Sequence, residues 1–145
     1  MRYWIIGLML GLAVPAFASE KCDRFEDVTN RVCIRSFSIA LGRDLNSYSG
    51  KRQEEENNFT GVVCGLAVGY MKQMCTPEMG NERAVSECEF ISNIVEGTMQ
   101  GGCMDARDQS AKLDKTFRIL GKNQRAAICK KAVAQAKAVT LRTCK

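Results

Sequence analysis

Residues 22–33 read CDRFEDVTNRVC, and residues 64–75 read CGLAVGYMKQMC. Both segments are bounded by cysteines with ten residues between them, and neither contains proline. Phe25, Val28 and Val32 recur at helical spacing, and Ile34, Phe37 and Leu41 continue the rhythm. From Phe59 onward, Val62, Val63, Leu66, Ala67, Tyr70, Met71 and Met74 follow i, i+3, i+4, i+7, the strongest helical pattern in the chain. Eleven positions along a helix make three turns and rise about 16 Å. A disulfide needs alpha carbons within roughly 7 Å. Neither pair can therefore close within its own helix. Two antiparallel helices bring both ends together at once, which predicts Cys22–Cys75 and Cys33–Cys64 as two staples across one helical hairpin.

The remaining cysteines repeat the device. Cys88 and Cys103 enclose fourteen residues, as do Cys129 and Cys144. The same geometry predicts Cys88–Cys144 and Cys103–Cys129, although fifteen positions rotate the helical face by about 60°. The expected fold is all-α: four or five helices arranged as two disulfide-stapled hairpins in one small domain.

Punctuation places the other elements. Gly42 is the expected stop of the first helix. Gly42 to Asn58 reads mainly as a polar loop whose later part could begin the next helix. Thr76-Pro77 ends the second helix, because proline disfavours helical geometry in the residue before it. Asn81 caps a third helix carrying Val85, Cys88, Ile91, Ile94, Val95 and Met99. Gly101-Gly102 is expected to weaken or break it. Asp105 to Leu120 reads as a fourth helix and Gln124 to Thr143 as a fifth. No long alternating strand pattern appears.

The N-terminus reads as an export signal. Arg2 supplies the positive start, Trp4 to Val14 the apolar run, and Ala16-Phe17-Ala18 a small-x-small cleavage site. Residues 1–18 are the expected signal peptide and residues 19–145 the disulfide-rich domain. Eight cysteines behind such a signal imply an oxidising compartment, secreted or periplasmic.

Composition narrows the function classes. There is no histidine, so Ser-His-Asp and Cys-His catalytic arrangements cannot be built. Paired cysteines would leave no thiolate nucleophile. Carboxylates are plentiful, yet nothing singles out a pair for general acid–base work. Asp44 to Gly50 faintly resembles the start of a calcium loop, but Tyr48 and Ser49 occupy positions that need an oxygen ligand and glycine. The expectation is a non-enzymatic protein with neither metal nor cofactor.

Three binding readings follow. The first is an interaction protein with an unknown protein partner. The second is a carrier of a small hydrophobic ligand, with Leu66, Tyr70, Met74, Ile94 and Met99 as candidate lining from the two most hydrophobic helices. The third is a cationic, membrane-active or antimicrobial protein. Residues 100–145 hold 11 basic and 3 acidic side chains, net +8, whereas residues 19–99 hold 9 and 13, net −4. Lys130, Lys131, Lys137 and Arg142 are therefore candidate contacts for an anionic partner, a weakly held anionic membrane or a polyanion. Nucleic acid is not among the expected partners. Asn58-Phe59-Thr60 is a glycosylation sequon, placed by the pattern at a loop-to-helix boundary.

Overall fold

The computed structural model describes residues 16–75 and 87–143, with side chains from Cys22 and from Cys88 in the two segments. Among these residues there are five helices and no strand: α1 (Ala16–Leu41), α2 (Gly50–Met74), α3 (Glu87–Asp108), α4 (Ser110–Thr116) and α5 (Lys122–Thr143). The domain is all-α and disulfide-stapled, as expected. Helix α1 packs on α2, α2 on α3, α3 on α5 and α5 back on α1, so the four long helices enclose one core. Residues 1–15, which carry most of the expected signal, and the expected Asn81 cap lie outside the described residues.

Helix α1 ends where glycine permits. Gly42 sits at φ 68°, and its N–H donates to Ile39 O at 3.1 Å while Arg43 N–H donates to Ser38 O at 3.2 Å. These paired bonds satisfy the last carbonyls through a left-handed residue that only glycine adopts at little cost. The following turn is tied down locally. Asp44 accepts the Asn46 N–H at 2.9 Å, and Arg43 reaches across to Glu56 and Asn57 at 3.0 and 2.8 Å.

The polar stretch after the turn is shorter than expected. Helix α2 starts at Gly50, so Lys51 to Asn58 is helical rather than mainly loop. Lys, Arg, Gln and Glu are strong helix formers, and Gln53 Oε1 accepts the Ser49 N–H at 2.8 Å, relieving one free donor at the helix start. The apolar stripe then buries Phe59, Val63, Ala67 and Met71, with Cys64 beside them. Met74, at the end of the stripe, is 47% exposed.

Both staples of the first hairpin are present. Cys22–Cys75 and Cys33–Cys64 have Cα separations of 5.8 and 5.7 Å, and their reversed order makes α1 and α2 antiparallel. Cys103–Cys129 joins α3 to α5 at 5.9 Å. Cys88 has no disulfide partner among the described residues, and its expected partner Cys144 lies outside them.

Gly101-Gly102 does not break α3. The helix runs through both residues, because their missing side chains are where α2 fits. A Cβ on Gly102 would sit 2.8 Å from Val63 O, and one on Gly101 would lie 3.2 Å from the Tyr70 ring. The pair is a contact surface rather than a stop. The expected fourth helix is divided accordingly: α3 extends to Asp108, α4 covers one short piece, and residues 117–120 bend without helix.

At one end of the core Phe37, Phe59 and Phe117 meet edge to face, with centroids 6.3 and 5.9 Å apart. Arg125, buried, lies 5.9 Å above the Phe117 ring. Its guanidinium donates to Leu120 O at 2.8 Å and to Asp114 at 2.6 Å, so the buried charge is paired. The buried Thr29, Thr60, Thr98 and Thr140 return their hydroxyl protons to carbonyls of their own helices.

Candidate functional site

Among the described residues, two of the grooves on the surface of this frame gather exposed apolar side chains. The first runs along the outer side of α1, beside the α1–α2 turn and the end of α5, and has a volume of about 600 Å³. Ile34 and Ile39 lie in it at 42% and 43% exposure. Around the helix they flank Arg31 and Arg35, which share the groove. Leu45 and Asp44 supply the turn side, and Thr143 the α5 side. Arg31 pairs with Asp27 at 2.5 Å one turn earlier, while Arg35 has no ion pair among the described residues.

Ile34 is a correction to the periodic reading of α1. Val32, Cys33, Ser36 and Phe37 point inward, and Ile34 falls on the opposite side of the helix. The core stripe is already complete without it. A helical wheel of α1 centred on Phe25, Val28 and Val32 carries that signal.

The second groove, about 300 Å³, lies between α3 and α5. Its floor is the Cys103–Cys129 disulfide with Ala126 and Val133. Met104, 49% exposed, forms part of one wall. Arg107 from α3 and Lys130 from α5 stand on its rim, and Gln100 is the remaining polar lining group. A smaller space of about 20 Å³ adjoins it, sharing Cys103, Arg107, Ala126 and Cys129 and touching Phe59 and Arg125, room for about one water.

The expected cationic face of α5 proves to be two stripes. At about 100° per residue, Lys130 and Lys137 fall within about 20° of each other, on the edge toward α3. Lys131 and Arg142 likewise coincide, roughly 100–120° further round. All four are exposed and none has an ion pair among the described residues. The inward face of the same helix is occupied: Cys129, Ala132, Ala136 and Val139 are buried.

The five residues expected to line a ligand space do not share either groove. Met99 is fully buried, Leu66, Tyr70 and Ile94 are half-buried, and Met74 is largely exposed. Tyr70 covers Gly101 and donates its hydroxyl to Asp105 at 2.6 Å. That bond to a carboxylate, with the negative charge nearby, holds the phenol pKa above its usual value. Asn58 is exposed but lies two turns inside α2 rather than at its boundary, and its sequon partners Phe59 and Thr60 are buried.

Glu55 forms a second polar join. Its carboxylate accepts the N–H groups of Arg118, Ile119 and Leu120 at 3.1, 2.9 and 2.7 Å. Partial burial raises its pKa, but the three backbone donors and the nearby Arg125 outweigh that and leave it below the usual carboxylate value. This contact anchors the segment between α4 and α5 onto α2.

No family model matches the chain, and no curated protein or solved structure matches it. Among the described residues no cluster of histidine, cysteine and carboxylate groups could hold a metal ion, and no helix is long and apolar enough to cross a membrane.

Proposed function

We propose that this chain is an exported, non-enzymatic interaction protein that docks a protein partner along the α1 groove. The observation that carries the reading is the placement of Ile34 and Ile39, two of the exposed large apolar side chains, in one groove of about 600 Å³. Single exposed apolar residues are common, but two that share one concavity with polar neighbours form the pattern of a recognition surface. Arg35, which has no ion pair among the described residues, favours a partner segment that carries a carboxylate beside its apolar side chains, while Arg31 is held by Asp27 and Asp44 lines the turn side. Export is supported by the N-terminal apolar run ending in Ala16-Phe17-Ala18 and by the three disulfides, which persist in oxidising compartments.

The test compares capture by three forms of the protein in the native exported fraction. The wild type and Met104→Asp retain a common protein partner, and Ile34→Asp/Ile39→Asp loses it. Mature protein beginning at Ser19 should be recovered from that fraction. Equal capture by all three forms, or no partner retained by the wild type, removes this reading.

A further inference from the structure

The α3–α5 groove is separate from the α1 surface and has a different chemistry. Its floor is entirely apolar: two disulfide sulfurs, Ala126 and Val133. Met104 adds a flexible, polarizable side chain that adapts to irregular apolar shapes. Among the described residues no acidic side chain lines it, whereas Arg107 and Lys130 do, and Lys137 continues the Lys130 stripe. Arg107 contacts the adjacent Asp108 at 3.6 Å through Nε, with both side chains more than half exposed, so its terminal nitrogens are available to a second acceptor.

Size limits the occupant. At roughly 30 Å³ per heavy atom, by comparison with liquid water, the groove of about 300 Å³ takes about ten such atoms. That is at the low end for small-molecule sites, which span about 300–1,000 Å³. The adjoining space, which shares Cys103, Arg107, Ala126 and Cys129 with the groove, is only about 20 Å³, so a ligand lies along the groove rather than entering the core. We propose that this groove binds a single-chain amphiphile with an anionic head, of the medium-chain fatty-acid class. The alkyl chain rests on Cys103–Cys129, Ala126 and Val133 under Met104, and the head sits between Arg107 and Lys130.

The test is titration calorimetry of the purified, oxidised protein with octanoate, decanoate, decyl phosphate and 1-decanol, each below its aggregation concentration. One-to-one binding is expected for the anions, tightening about fourfold per added methylene until the groove is filled. Decanoate and decyl phosphate distinguish a carboxylate from a phosphate head, and preference for either is consistent with the site. Decanol should bind at least tenfold more weakly than decanoate. Lys130→Glu and Arg107→Glu should each weaken decanoate at least tenfold, Met104→Asp should abolish it, and the Met104 methyl NMR signal should shift on binding. All three positions are exposed, and unchanged circular dichroism checks that the variants fold. Ile34→Asp/Ile39→Asp should bind decanoate normally, so loss of the partner-docking reading and loss of this one are separate outcomes. The proposal is overturned if the wild type binds none of the anions. It is equally overturned if decanol matches decanoate, if the Glu variants bind as wild type does, or if only an acidic peptide binds.

Discussion

Between α1 and α2, two disulfides hold the helices at both ends of a three-turn stretch, whereas a single described bridge, Cys103–Cys129, joins α3 to α5. The consequences differ. The first pair is sealed: Val32, Cys33, Phe37, Phe59, Val63 and Cys64 are all buried. The second pair packs at least as extensively, yet leaves a groove beside its bridge. A covalent link at one level brings two helices together there without requiring side chains to fill the space above and below it. A second link one cysteine spacing away fixes separation and direction together. In this molecule α3 spends its closest approach on α2, through Gly101 and Gly102, rather than on α5.

The largest expected effect tests the sealed pair. Cys33→Ala/Cys64→Ala should lower stability by roughly 2–4 kcal/mol in denaturant unfolding, with helicity retained through Cys22–Cys75. Cys103→Ala/Cys129→Ala opens a loop of similar length, the sequence separations being 26 for this bridge and 31 for Cys33–Cys64. Its cost should be smaller by about 1 kcal/mol, since Cys103 is only half-buried and leaves less of a void. A larger cost at Cys103–Cys129 would reverse the contrast between the two pairs.

Gly102 tests where α3 makes its tight contact. Alanine there gains about 1 kcal/mol of helix propensity but places a Cβ against the Val63 carbonyl, a backbone atom that cannot move cheaply. A net loss of about 1–3 kcal/mol is expected. Gly101→Ala should cost less, because the Tyr70 ring can shift. Gly97→Ala, with open space at its Cβ, should stabilise by about 0.5–1 kcal/mol. If Gly102→Ala stabilises as Gly97→Ala does, the close approach of α2 and α3 is absent.

Glu55 sharpens the comparison on the α4–α5 side, where a carboxylate does part of the joining. Glu55→Ala should cost about 1 kcal/mol near neutral pH, a modest value because the bonds are partly open to water. The folded pKa is lowered, so the carboxylate's contribution is complete above the unfolded carboxylate pKa, about 4.3. It is lost as pH falls through the lower folded value. Wild type should therefore lose stability on acidification below about pH 4.5, and Glu55→Gln should lose less. Parallel pH profiles for the two proteins would show that the three N–H contacts do not favour the ionised form.

The smallest effects concern Ser36 on α1 and Ser92 on α3, whose buried hydroxyls have no hydrogen-bond partner among the described residues. Removing an unsatisfied polar atom relieves a desolvation cost. Ser36→Ala and Ser92→Ala should each leave stability unchanged or raise it by up to about 1 kcal/mol. A loss from either substitution would place an ordered water or a hydroxyl contact at that position.

Much of the frame was legible in the linear chain. Equal cysteine spacing combined with helical rise predicted the antiparallel α1–α2 hairpin and the Cys103–Cys129 bridge, because both quantities depend on local geometry alone. The stripe from Phe59 to Met71 and the stop at Gly42 were readable for the same reason. The grooves were not. Ile34 belongs to the apolar rhythm when counted along the chain, yet it faces outward because neighbouring residues already complete the buried side. Lys130 and Lys131 are adjacent in sequence, yet lie on different stripes once α5 has an orientation toward α3.

By itself, then, the sequence determined helix content, charge asymmetry and three of the bridges, all of which follow from composition and short-range spacing. Tertiary structure decided that Gly101-Gly102 is a contact and not a break. It also decided that Met99 is buried and Met104 exposed, and where the two grooves open. Each of these depends on which residues from distant parts of the chain occupy the same space, and backbone proximity across helices is not encoded in the periodicity of either helix alone.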